Sequence, residues 1–240
     1  MDTPESLDLL TRGRDAWNAW SATQRAKRQA LEVCALWRIS KDRRGEPYPA
    51  NRETENWMKE SQALFAYHEF KQPVDFSGFV FAGFASFVGT KFRSEAGFSG
   101  ACFERGAAFR FARFMRGADF AEARFISEGS FMSAQFAAAA RFDKARFESS
   151  KAVDCTQGRL SFAQATFRDN ASFENARIEG AAEFHAARFV RNASFKGAEF
   201  LSGILLSDAV FLGEAQFQGA RLSGDGGFDK VTFAIPPVFA

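Results

Sequence analysis

Phenylalanine recurs along this chain at steps that alternate five and six residues. From Phe76 it falls at Phe81, Phe87, Phe92, Phe98, Phe103, Phe109, Phe114, Phe120, Phe125, Phe131, Phe136, Phe142 and Phe147. The cadence resumes at Phe162 and runs to Phe239, with Ile178, Leu206 and Leu222 in place of Phe at three steps. Two residues before most of these positions stands a small residue, usually alanine, as at Ala85, Ala96, Ala107, Ala118, Ala171 and Ala193. The unit is AxFxxAxFxxx, a period of eleven. With 31 Phe against 2 Tyr and 4 Trp in 240 residues, one aromatic residue serves one repeated geometric purpose.

An eleven-residue period is also that of a right-handed helical coiled coil. At about 100° per residue, however, the two Ala and two Phe of one unit scatter around a helical cylinder and define no face. In an extended segment, residues two apart point the same way. Each Ala-x-Phe then sends both side chains to one side, so the extended reading stands. Strands this short bury nothing alone. Coiling the chain so that successive segments stack lets each coil cover its neighbour's rings. Four segments, or two units, would make one coil. Coils rising by about 4.8 Å span roughly 35 Å in all, and each buried Phe contributes about 1.5–3 kcal/mol. Four rings per coil leave space for only a methyl group at the other inward position.

The AxFxx cadence resembles the pentapeptide-repeat family, whose usual unit places Ala or Cys two before a central Leu or Phe. The resemblance implies a mainly β fold, a right-handed quadrilateral β-helix, from about Val74 to the C-terminus. The chain departs from the family pattern in its six-residue steps, which predict one extra residue at two corners of each coil. The residue before each Phe is Ser, Arg or Asp among others, rather than mainly Asp or Asn. The interval from Phe142 to Phe162 falls two short of two full units. Steps of five turn Ala152 and Gln157 inward, with Ser150 and Cys155 as their small partners. The alternative keeps Val153 inward and makes Asp154 to Arg159 a loop. A bulge accounts for either arrangement more simply than a ligand niche.

Residues 1–70 read as a helical head and 71–240 as the β-helix. Pro4 opens a first helix with Thr3 as its cap, and Leu7, Leu10, Trp17 and Trp20 form its apolar stripe. Within it, Ala16-Trp17-Asn18-Ala19-Trp20 resembles the AWNxW helix that precedes the repeats in many family members. A second helix carries Leu31, Cys34 and Trp37, Lys41 to Pro49 is a loop, and a third helix places Trp57, Leu64, Phe65 and His68 on one side.

The formal net charge is +2, with 20 Lys+Arg and 18 Asp+Glu from Lys71 onward and 11 of each before it. That balance argues against a nucleic-acid binder, which needs a basic face. It argues equally against an acidic imitation of DNA. The resemblance brings the second class in, since some pentapeptide-repeat proteins bind DNA gyrase by imitating DNA. Cys34, Cys102 and Cys155 form neither a zinc pattern nor a disulfide framework. The N-terminal residues show no signal peptide and no stretch has the length of a membrane span, so the cytoplasm is the expected compartment. His68 and His185 are the only histidines. Neither has a nucleophile or a second metal ligand at motif spacing, and Gly224-Asp225-Gly226-Gly227 lies within the repeat rhythm as a corner.

These features lead to the expectation of a non-enzymatic protein-interaction scaffold with no cofactor or metal and an unidentified protein partner. Candidate contact residues are Arg113, Arg124 and Arg146 on the ladders, Trp17 and Trp20 in the head, and Phe239 at the far end. Arg124 and Arg146 stack on one face, with Asp119, Glu122 and Asp143 expected to moderate their repulsion. A β-helix leaves unpaired edges at its ends. The apolar C-terminal segment Ala234 to Ala240, with two prolines that cannot donate ladder bonds, is expected to meet a second copy end to end.

Overall fold

The computed structural model describes residues 1–43, 47–149, 159–224 and 226–239. Two-residue rungs dominate it. They stack in parallel register into four sheets of seven, eight, seven and seven strands. Face I begins at Ala63–Leu64, face II at Glu69–Phe70, face III at Val74–Asp75 and face IV at Val80–Phe81. The next coil returns to face I at Ala85–Ser86, which pairs with Ala63–Leu64. Two units therefore make one coil, as in the pairing of Phe103 with Phe125 on face IV, and the solenoid is four-sided.

Inside, the rings stack down each face and meet edge-on across faces. On face III, Phe98 lies 4.6 Å from Phe120 at an interplanar angle of 1°, and Phe120 lies 4.8 Å from Phe142 at 2°. Across the interior, Phe109 of face I and Phe120 of face III are 5.2 Å apart at 88°. Edge-to-face contact of this kind adds about 0.5–1.5 kcal/mol to the value of burial. Every Phe of the cadence from Phe76 to Phe217 is buried. The paired small residues, such as Ala107, Ala123 and Ala145, are buried beside them.

The five-six alternation has a simple basis. From faces I and III the chain leaves by a tight turn in which the amide three residues on donates to the Phe carbonyl, as Ala112 N does to Phe109 O (3.0 Å). The third residue of that turn has positive φ, the type II signature. Glycine fills it at Gly89 and Gly100, but Glu122, Lys144 and Asn175 adopt it too. The other two corners take the sixth residue.

The interruption differs from the two-unit expectation. Ala107 pairs with Gly129 at the ordinary two-unit interval, but Gly129 pairs with Leu160, nine positions beyond it. Face IV's Arg146–Glu148 is followed directly by face I's Arg159–Ser161. Phe142 to Phe162 is thus one unit with an insertion of nine at one corner, not two units short by two. Ser150, Ala152, Val153, Asp154, Cys155 and Gln157 lie outside the described residues, as do Asp225 and Ala240. Leu160 occupies a small-residue position and is fully buried. Its register partner Gly129 has no space for a side chain, since a Cβ there would come within 2.9 Å of the Phe147 ring.

The head contains three helices, with boundaries that correct the sequence reading. α1 spans Thr3–Thr11 and is capped by Asp2 rather than Thr3: Asp2 Oδ1 accepts from Glu5 N (2.9 Å) and Glu5 Oε2 accepts from Asp2 N (2.9 Å). Gly13, at φ 84°, separates α1 from α2 (Gly13–Val33), which divides the expected single stripe between two helices. Cys34 caps α2 and Trp37 lies beyond it. Within Lys41 to Pro49, read as a loop, the ends are paired: Ile39–Lys41 and Pro47–Pro49 form an antiparallel ladder. α3 stops at Ser61 (Arg52–Ser61). Leu64 and Phe65 belong to the first face I rung and its ring, and His68 precedes the first face II rung. The cue was present, because Ala63-Leu64-Phe65 has the repeat form and Phe65, Phe70 and Phe76 keep the five-six step.

Candidate interaction surfaces

The head closes one end of the solenoid with polar groups that stand in for a missing coil. Asn18 Oδ1 accepts from Val80 N (2.8 Å) and Asn18 Nδ2 donates to Gly78 O (3.0 Å). Ser6 Oγ accepts from Leu64 N (3.0 Å). These bonds satisfy edge groups that would otherwise invite another chain. Trp17 is fully buried, with its ring 5.2 Å from Phe81 and 6.0 Å from Phe65. Its Nε1 donates to Val80 O (3.0 Å), and Ser21 Oγ donates to the same carbonyl. Trp17 is therefore the plug of the aromatic column and not a surface contact. Trp20 is half-buried and lines a groove of about 640 Å³ with Met1, Pro4, Leu9, Arg12 and Glu60.

The arginine ladder lies where the register argument put it. Arg124 pairs with Arg146 and Arg146 with Arg177 on face IV, whereas Arg113 lies on face II between Lys91 and Gln135. The neutralising groups differ from those expected. Arg124 bonds Glu148 (2.8 Å), which raises the guanidinium pKa further. Arg177 bonds Glu199 (2.5 Å), which also faces Arg221 (3.4 Å). Asp119 instead meets Arg141 on face III (2.5 Å). Burial pushes the Asp119 carboxyl up, but hydrogen bonds from Arg141 and the Ala121 amide hold it below its ordinary value. Glu122 faces Lys144 (3.7 Å), and Asp143 accepts from the Ser172 hydroxyl and from Glu174 N (3.2 Å).

The groups that could carry chemistry are dispersed. Burial pushes the Cys102 thiol up to about 11 on face IV, the opposite of what a nucleophile needs. Cys34 and Cys102 are both free. Burial lowers the His68 pKa, and its ring meets Phe70 edge-on at 4.6 Å. His185 is exposed at a corner, as its position after Phe184 indicated. Among the described residues no three metal-ligating side chains cluster, and no helix is long and apolar enough to cross a membrane.

The far end has no cap among the described residues. Phe239 stacks on Phe217 at 5.3 Å but is 57% exposed, and Phe228 is 43% exposed. Leu222 and Ile235 are exposed beside them. Pro237 takes the register position of Ala193 and Ala215, since Val238 pairs with Gln216. Ala193 N donates to the following coil, at Glu214 O (2.9 Å), so the proline deletes the corresponding outward donor.

The sequence reading missed a group on face II and the two corners that flank it. Tyr67, Arg110 and Phe111 are exposed at the corner between faces I and II, and Met115 and Arg116 at the next corner, between faces II and III. Two cues were legible: Arg110, Arg113 and Arg116 at intervals of three, and a Phe at 111 outside the cadence.

The family model described as Pentapeptide repeats (9 copies) matches residues 162–207. No curated protein sequence matches the chain. The matched stretch contains the Ala-x-Phe rungs from Phe162 to Leu206, and the same coil geometry extends from Ala63 to Phe239. With its four parallel ladders, stacked phenylalanines and matching repeat unit, the chain is a pentapeptide-repeat protein.

Proposed function

We propose that this protein is a non-enzymatic, cytoplasmic scaffold for protein–protein interaction, its head acting as cap and adaptor and its coils as a rigid display surface. The observation that carries this reading is the contrast between inside and outside. The stacked rings fix the backbone, and the outward residue of each rung is held in register with those above and below, as Arg124 is with Arg146. Repeat proteins use such extended, fixed surfaces for binding. A gyrase modulator that imitates DNA needs a continuous acidic face. Face IV instead stacks Arg124, Arg146 and Arg177 in successive rungs before Glu199 and Arg221, and face II carries Lys91 and Arg113.

The uncapped end supports association with a second copy through Phe228, Ile235 and Phe239. A twofold end-to-end contact would cover rings that a monomer leaves in water. Sedimentation equilibrium at tens of micromolar should give twice the chain mass, and Phe239→Asp should return it to the monomer. A monomer mass for the unaltered chain would rule this contact out.

The scaffold reading is tested by affinity co-purification of the full chain with quantitative mass spectrometry. It predicts stoichiometric protein partners that are lost on altering exposed ladder residues while the melting temperature stays unchanged. Recovery of no partner, together with turnover of any small-molecule substrate, would contradict it.

A further inference from the structure

Two of the turn residues with positive φ are aromatic: Tyr67 at 58° and Phe111 at 59°. A bulky side chain is costly in this conformation, and burial does not compensate it here, because Tyr67 is 79% and Phe111 54% exposed. They sit two coils apart on the corner between faces I and II, with Gly89 between them. Gly89 makes room for the Tyr67 ring: a Cβ there would lie 2.6 Å from its Cδ1. Neither burial nor backbone preference accounts for the two exposed rings.

The side chains beside them share the anomaly. Arg110, Phe111, Arg113, Met115 and Arg116 are exposed in the third coil, and Ala112 and Phe114 between them point inward. Lys91 lies one rung before Arg113. Among the described residues Lys91, Arg110, Arg113 and Arg116 make no ion pair or side-chain hydrogen bond. At a similar height on the other faces, Arg141 pairs with Asp119 and Arg124 with Glu148. Arg93, next to Lys91, is held by Glu69 (2.5 Å).

We propose that face II and its two flanking corners, over the second and third coils, bind an acidic segment of a partner protein that also carries apolar side chains. The assignment rests on the scaffold reading and specifies the partner's chemistry. Arginine's planar fork takes a carboxylate through two hydrogen bonds. Phe, Met and Arg are the residues enriched at protein interfaces, while Lys is depleted there, and the site has three Arg to one Lys. A nucleic-acid strand needs a basic track along its backbone. Here the cations occupy two adjacent rungs, about 4.8 Å apart, and Glu69 and Glu95 stand at the rim.

The test uses the full chain and a short fluorescein-labelled peptide of Glu, Asp and Phe, read by anisotropy at low salt. A single-stranded oligothymidylate is the competing probe. The triple variant Arg110→Ser, Arg113→Ser, Arg116→Ser should weaken peptide binding about tenfold or more, equivalent to roughly 1.4 kcal/mol. Phe111→Gly should weaken it with no fall in melting temperature, and the face IV control Arg146→Ser, Arg221→Ser should bind as the parent does. The assignment is overturned by equal peptide binding to the triple variant, by absence of saturable binding, or by tighter binding of the oligothymidylate. Co-purified partners retained by the triple variant would also overturn it while leaving the scaffold reading intact. Recovery of no partner by the parent chain would count against the scaffold reading itself.

Discussion

The two ends of the solenoid solve the same problem in opposite ways. Any stack of coils terminates in a ring of aromatic side chains and a row of unpaired backbone groups. At the first coil, Trp17 lies against Phe65 and Phe81, while Asn18 and Ser6 bond the free edge amides of Val80 and Leu64. At the last coil, Phe228 and Phe239 remain open and Pro237 removes an edge donor rather than satisfying it. One end is completed from within the chain, and the other is open among the described residues. Rings of identical chemistry therefore differ in energetic weight according to their height in the stack.

The largest consequence concerns the rings themselves. Phe125, stacked between Phe103 at 4.7 Å and Phe147 at 4.8 Å, should cost about 3–5 kcal/mol when truncated to alanine. Phe239, with a ring on one side only, should cost about 1 kcal/mol or less. Urea denaturation of both variants measures the difference, and equal midpoints would remove the distinction between interior and end. Trp17→Ala comes next, at about 3 kcal/mol, because it opens the plugged end and removes the indole partner of the Val80 carbonyl. Its denaturation slope should stay near that of the parent if the coils unfold together with the head.

Asn18→Ala should cost less, about 1–2 kcal/mol, since one edge amide and one carbonyl lose their partner while the rings stay covered. The sharper readout is hydrogen exchange at Val80, which should accelerate in this variant while Phe103 stays protected. The smallest effect has the opposite sign. Phe111→Gly should stabilise the chain by about 0.5–1 kcal/mol, because glycine holds positive φ without strain. A destabilised variant would show that the exposed ring packs usefully against its own coil, and the case for a binding role would weaken.

The contrast also explains what could be read in advance. The core was legible because extended backbone maps sequence spacing directly onto inside and outside. Phe103, Ala107 and Phe109 needed no tertiary information to be placed. The start of the ladder was not, since Trp57, Leu64 and His68 also fit a helical spacing, and His68 occupies a position where an alanine would have marked the repeat. The interruption was misread because the residues from Phe142 to Phe162 fit either two short units or one long one, and only the pairing of Gly129 with Leu160 decides. Among the candidate contact residues, Arg124 and Arg146 fell on one face as their register required. The burial of Trp17 depended on where α2 docks, which no local pattern encodes. Phe111 escaped notice because its anomaly is conformational: a Phe outside the cadence is unremarkable until its backbone is seen to be left-handed.

Residue-resolved hydrogen exchange, at a concentration where the chain is monomeric, tests the capped-and-open account most directly. It predicts strong protection of the first coil from Leu64 to Phe81 and of the central coils, fading toward Thr232 and Val238, with Trp17→Ala erasing the protection of the first coil alone. Equal protection of the last coil, or fraying that begins at the first, would contradict it.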